Sequence, residues 1–275
     1  MASTPNSTSD RVIANLLDQV DDLRAENAVL RRGNSSAGGA SIEIGYWSIR
    51  GLGAPLRMMA AYAGILHDAK LYDLKPKEGG GWDASAWFDH KPSLKERNAL
   101  MNLPYIIDGD TVVAQTNACF SYLGRKTGLN GATDAEILAN EQCLCEVMDL
   151  RNAIVKVAYS GKDDGLAARI EGLAKSARGI YAKFELWLSQ QGTDFFAATT
   201  PTACDFHIWE CVDQLHISDT LVLTTDEFPL LKAFYDRVRA LPQLQAYFDG
   251  ELYALPMNNK MAAIGGTADP KAHLS

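Results

Sequence analysis

Along the chain, apolar and polar positions alternate with period two from Ile42 and then change to a helical period. Ile42, Ile44 and Tyr46 fall on one face of a strand, and a turn at Gly51 and Gly53 follows. Pro55, tolerated in a first turn, opens a helix on which Leu56, Met59, Ala60 and Ala63 recur. Lys70 to Leu74 reads as a second short strand. Residues 75–100, with Gly79-Gly80-Gly81 and two tryptophans, read as a loop too long for a plain connector. Apolar residues after Pro104 and the turn at Asp108-Gly109 predict a hairpin into Thr111-Val112-Val113. Gln115-Thr116 then starts a helix carrying Phe120, Leu123 and Arg125.

From Thr133 the alternation is gone and the helical period takes over. Ile137, Leu138, Cys145, Val147 and Met148 lead into Ile154, Val155 and Tyr159 as one long helix. Leu166 to Leu188 is a second, with Ile170, Leu173, Ala177, Ile180, Phe184 and Trp187 near the 3.6 spacing. Thr202-Ala-Cys-Asp205 before Phe206 and Ile208 fits a capping box, a structural feature. Phe228-Pro229 to Leu241 gives another helix, and Leu255-Pro256 to Ile264 a C-terminal segment.

The N-terminal stretch is a separate object. Residues 1–10 are rich in Ser and Thr and are expected to be disordered. In residues 11–32, Ile13, Val20 and Asn27 occupy a positions and Leu16, Leu23 and Leu30 d positions of three heptads. Asn27 suits a parallel dimer register, and Glu26 and Arg31 suit cross-strand pairing. Two readings follow, a short dimerising coiled coil or an amphipathic helix lying on its own globule. No basic region precedes the heptads, which excludes a basic-zipper transcription factor. Residues 33–41, with Gly38-Gly39, read as a flexible linker.

Composition narrows the class. The 275 residues are 47% hydrophobic and 22% charged with a net charge of −8, a globular profile that disfavours a nucleic-acid partner. No apolar run approaches the ~20 residues of a membrane helix, and the start lacks a signal-peptide pattern. Five cysteines without a CxxC suggest free thiols, no metal site and a cytoplasmic location. Cys143 and Cys145 point to different sides of a helix, a poor geometry for sharing a metal.

Candidate chemistry begins at the first strand. A strand-turn-helix start places Tyr46 beside a helix N-terminus, where free N–H groups attract anions. Gln115-Thr116 stands at a second such terminus, so one set of groups could serve as a cap or bind a carboxylate. Trp87 and Lys91, four residues apart, share a face if their loop is helical, and would offer an indole N–H and an ammonium.

Gly45-Tyr-Trp-Ser-Ile-Arg-Gly-Leu52 closely resembles the opening motif of the mu-class glutathione transferases. The resemblance spans about residues 42–265, with the capping box as a second motif in the right order. It implies a thioredoxin-like α/β domain over 42–128, an all-helical domain over 133–265 and a flexible tail over 266–275. It makes Tyr46 the catalytic tyrosine, which donates its O–H to the thiol of glutathione and stabilises the thiolate that attacks apolar electrophiles. It assigns the glutathione site to Tyr46, Trp47, Leu52, Trp87, Lys91, Asn102, Leu103, a cis Pro104, Gln115 and Thr116, with Asp149 reaching in from a second subunit of a homodimer. It places Tyr159, Arg151 and Asn258 at the co-substrate pocket. No metal is implied, and neither nucleic acid nor membrane is a partner.

The chain departs from the motif pattern at Ala84, where an arginine usually helps hold the glycine carboxylate, and at Leu100, near the usual phenylalanine key of the dimer. Asn258 and Ile264 stand where aromatic residues are usual. A non-catalytic ligand-binding or assembly protein and a glutathione-dependent isomerase are the alternative readings.

Overall fold

The computed structural model describes residues 41–274. The heptads of residues 11–32 and most of the linker expected at 33–41 lie outside the described residues.

Strand β1 (Ile42–Trp47) runs into helix α1 (Gly53–Ala63), which returns the chain to β2 (His67–Tyr72). The helix begins two residues before Pro55, because Gly53 and Ala54 N–H groups already bond the Arg50 carbonyl at 3.1 and 2.9 Å. Strand β2 lies three residues earlier than the Lys70 start expected from sequence. It pairs in parallel with β1, Ile42 opposite His67 and Trp47 opposite Tyr72. Most of its side chains stay partly or wholly exposed, so the alternation that marks a strand was weak there.

Residues 75–100 are not one loop. They form a two-stranded ribbon, β3 (Lys75–Pro76) with β4 (Trp82–Asp83), then short helices α2 (Ser85–Phe88) and α3 (Lys91–Arg97). The β5 (Tyr105–Asp108) and β6 (Thr111–Ala114) hairpin is as expected, and α4 (Thr116–Thr127) follows it. The four-stranded sheet has the order β2-β1-β5-β6, with β1 antiparallel to β5 and β5 to β6. This is a thioredoxin-like βαβ–ββα arrangement.

The rest is helical: α5 (Asp134–Ala158), α6 (Leu166–Gln191), α7 (Ala203–Ile217), α8 (Pro229–Arg239) and, past a 3-10 turn, α9 (Gln245–Phe248). On α5 the buried positions are Ala139, Asn140, Cys143, Leu144, Val147, Leu150, Arg151, Ile154 and Ala158. Leu138 and Cys145, which mark this helix in the sequence, are exposed. Helix α7 is buried from Ala203 to Leu215 and packs against α1, α4, α5 and α8, making it the centre of the main core. A helix wrapped on all sides needs apolar residues all round, with its polar groups paired. The tail from 266 folds back, and Lys271 pairs with Asp219 at 2.5 Å, in place of the flexible tail expected. Among the described residues no helix is long and apolar enough to cross a membrane.

Candidate active site

One end of the sheet collects the residues that matter. The β1–β5 register sets Gly45 opposite Tyr105, which brings Tyr46 beside Pro104. The β5–β6 register sets Tyr105 opposite Ala114, which brings Pro104 beside Gln115. Tyr46, the Leu103-Pro104 pair and the start of α4 therefore lie in a row across three strands. The Leu103–Pro104 peptide bond is cis, as the resemblance implied.

Tyr46 is 6% exposed, yet its hydroxyl makes no hydrogen bond and is not sealed from solvent. The ring rests on the turn at Gly51, whose φ of +40° suits glycine. That turn is pinned by the C-terminal segment: Arg50 N–H donates to Pro256 O at 2.8 Å and Gly51 N–H to Met257 O at 3.2 Å. An O–H held by its ring, with no internal acceptor, is a donor waiting for one.

Next to it, the Leu103 N–H and C=O have no partner among the described residues. An extended peptide could pair with both as an added strand. Gln115 has φ +74°, a left-handed value that costs a residue with a Cβ about 1–3 kcal/mol and points to function where it persists. It precedes the N-terminus of α4, which has no side-chain cap, so the free N–H groups stay available to an anion.

Trp87 and Lys91 meet, but from two helices, α2 and the first residue of α3, and not from one face of a single helix. Lys91 Nζ lies 5.5 Å from the Trp87 ring centre and 3.5 Å from Asn102 Oδ1. Trp87 is buried and stacks on Tyr105 at 6.1 Å. Tyr105 donates to Glu43 at 2.5 Å and shares a 2.7 Å hydrogen bond with Tyr72, which in turn meets His90 at 2.7 Å. This chain ties the α2–α3 segment to the sheet and fixes where Lys91 stands. Ala84 is the residue just before α2, where it offers only a methyl group. Trp47 and Leu52 are half-buried, on the strand end and at the helix start.

The co-substrate assignments fare differently. Tyr159 is 38% exposed, and its oxygen accepts the Asn259 N–H at 2.9 Å, so its O–H remains free to donate. Burial pushes its phenol up, and the interactions acting on it include Tyr46, so the two phenols are neighbours. Arg151 and Asn258 are corrected. Arg151 is 4% exposed and donates to Gln214 at 3.3 Å inside the helical core. Asn258 is 1% exposed and turns inward to Ile264 O at 3.0 Å, holding its loop together. Neither presents a surface to a ligand. Ile264 is buried against Ala158 and Ala262.

Asp149 lies exposed on α5, in a groove of about 710 Å³ between α5 and α6 that Leu138, Glu146, Lys183 and Trp187 also line. Tyr46 is not among the residues that line this groove.

Sequence reasoning missed two contacts here. Lys260 Nζ reaches Asp73 at 3.0 Å and Leu74 O at 3.0 Å, clasping the C-terminal loop to the strand side of the cleft. Arg50 donates to Glu210 at 3.0 and 2.8 Å and to Asp213 at 2.6 Å. Arg50 belongs to the opening motif, but partners about 160 residues away leave no local trace.

Residues 148–251 match the family described as glutathione S-transferase, C-terminal domain. The chain is 32% identical over 227 residues to glutathione S-transferase Mu 3 of Homo sapiens, covering 82% of this chain and 96% of that one. Glutathione S-transferase Mu 5 of Mus musculus matches with the same identity and coverage. Among solved structures, the glutathione S-transferase Blo t 8 aligns with a TM-score of 0.73 at 22% identity, over 81% of this chain and 99% of that one. A pi-class glutathione S-transferase of Onchocerca volvulus aligns with a TM-score of 0.66 at 26% identity, over 81% of this chain and all of that one. The chain belongs to the glutathione S-transferase family.

Proposed function

We propose that this protein conjugates glutathione to apolar electrophiles, with Tyr46 as the catalytic residue. The observation that carries the reading is the unpartnered Tyr46 hydroxyl at the sheet end shared with Leu103-Pro104 and the N-terminus of α4. A free thiol titrates near pH 8.5, and the thiolate is the nucleophile. A phenol O–H aimed at sulfur favours the anion, and a two-unit fall in its pKa corresponds to about 2.7 kcal/mol. The tripeptide pairs through its cysteinyl backbone with Leu103. Its γ-glutamyl carboxylate takes the Gln115-Thr116 terminus, and its glycine carboxylate takes Trp87, Lys91 and Asn102. Trp47 and Leu52 flank the site, and Tyr159 offers its O–H to the co-substrate. The thiolate attacks carbon by substitution or addition, the sulfur–carbon bond forming as the leaving group departs or the double bond takes up the electron pair.

The protein acts as a homodimer in which Asp149 of one subunit serves the other's site. The α5–α6 groove and the exposed Leu100, 69% accessible on the segment before Asn102, support this as socket and plug. The heptads of residues 11–32 add an assembly element. Detoxification in the cytoplasm is the role that such chemistry serves.

Conjugation of glutathione to a chloronitrobenzene, compared between wild type and Tyr46→Phe, tests the reading. Loss of roughly tenfold or more in kcat/KM, with glutathione still bound in calorimetry, is expected. A wild type with neither turnover nor glutathione binding would leave a ligand-binding or assembly protein instead.

A further inference from the structure

Arg57, on α1, is fully buried, and only one of its three nitrogens has a partner: Nη1 donates to Ile49 O at 3.1 Å. Nε and Nη2 have none, and no carboxylate pairs with the guanidinium among the described residues. An unpaired charge in that position is expensive, and nothing in the core packing requires it.

Its surroundings show what it acts on. A Cβ built on Gly53 would meet Arg57 Nη2 at 2.7 Å and Tyr46 Cβ at 2.8 Å, so the guanidinium lies directly behind the catalytic tyrosine. From β2 it faces His67, whose imidazole is pushed down by burial, with Arg57 adding to the effect. From α7 it faces Glu210, and from α9 it faces Tyr247, whose buried hydroxyl is also unpartnered. Helix α1 itself brings no other charged residue.

Two carboxylates and two other arginines lie nearby and answer one another. Glu210 and Asp213 both close on Arg50, 2.8 and 2.6 Å from its Nη2. Arg151 reaches Glu210 through Gln214, at 3.3 and 2.7 Å. Two cations and two anions balance there, which leaves Arg57 as the unpaired charge behind Tyr46. A sulfur anion formed at Tyr46 would be attracted to it across a medium that screens poorly. We propose that Arg57 is a positioning residue for the reaction: its unpaired buried charge makes the cleft favourable to the thiolate. It rests on the conjugation reading above, and it assigns to Arg57 an effect on sulfur ionisation separate from glutathione affinity.

The test is the ultraviolet absorbance of the bound thiolate, titrated in wild type, Arg57→Met, Arg57→Lys and Tyr46→Phe. Calorimetry with glutathione and kcat/KM against pH accompany it. Arg57→Met should hold about tenfold less thiolate near pH 6.5 and lose rate in step, converging on wild type near pH 9, where the thiol ionises unaided. Glutathione affinity should change little, and Arg57→Lys should restore most of the thiolate. In Tyr46→Phe the bound thiol should stay more acidic than free glutathione, because the Arg57 charge remains. A folded Arg57→Met whose pH profile superimposes on wild type overturns the proposal. If Arg57→Met does not fold, a Tyr46→Phe thiol that titrates like free glutathione overturns it instead. A wild type that binds no glutathione removes the conjugation reading and this proposal together.

Discussion

At Gly51, with φ +40°, a methyl group would stand 2.6 Å from Tyr46 Cε1 and 3.0 Å from its hydroxyl. Glycine there solves two problems at once, a backbone that side chains rarely adopt and a floor low enough for the phenol ring. Gly51→Ala should therefore displace the donor while leaving the peptide cleft in place. A loss of roughly ten- to a hundredfold in kcat/KM is expected, since small misplacements of a reacting group are costly. Glutathione affinity in calorimetry should fall much less. Equal losses in both would mean that the turn had collapsed and that the ring's support is not the issue. Gly45 has a parallel role, because a Cβ there would lie 2.1 Å from the Tyr105 ring. Both glycines sit inside the motif that the sequence displays, but the reason for each becomes visible only with the ring that covers it.

Among the elements, α7 depends on one carboxylate. Asp205 accepts from Phe196 N at 2.8 Å, from Thr202 N at 2.7 Å and from Thr202 Oγ1 at 2.7 Å. Replacing it with Ala strands three buried donors, at about 2–4 kcal/mol in total, whereas Thr202→Ser should cost well under 1 kcal/mol. Urea unfolding midpoints of the two variants check this, and an Asp205→Ala midpoint equal to wild type would mean that water replaces the carboxylate. The Thr202–Asp205 half of this cap was legible from spacing alone, since capping is local. The bond to Phe196 was not, because it joins a loop to the helix. The same division runs through the fold. The β1–turn–α1 unit and the β5–β6 hairpin carry local signals and were readable. Strand β2 was placed three residues late because its mostly exposed side chains give little alternation. In the candidate site, Tyr46 and Pro104 came from a motif. Arg57 was hidden, since an arginine on a helix looks solvent-facing until its neighbours are known.

At the scale of the whole molecule, the two halves meet through groups that dislike burial. Arg50 joins the first domain to Glu210 and Asp213 of the second, and its guanidinium lies 4.5 Å from the Tyr253 ring centre. Nearby, His207 of α7 stacks on Phe120 of α4 at 5.0 Å, fully buried and with neither ring nitrogen partnered. Burial, with Arg151 adding to it, pushes its imidazole down to about 3. The unfolded chain takes up that proton near pH 6.5 and the folded chain does not. His207 therefore leaves stability untouched above about pH 7 and erodes it as pH falls, by roughly 3 kcal/mol at pH 4. Asp205, which burial pushes up to about 6, titrates in part of this range with the opposite sign. The informative quantity is thus the difference between a variant and its parent. His207→Phe keeps a ring against Phe120 and removes the protonation, so its unfolding midpoint should fall less than the parent's between about pH 7.5 and 5. Parallel decline in the two proteins would place the acid sensitivity elsewhere. A flatter curve would locate it at the contact where the sheet domain rests on α7, the contact through which Arg50 also holds the Tyr46 turn to the helical half.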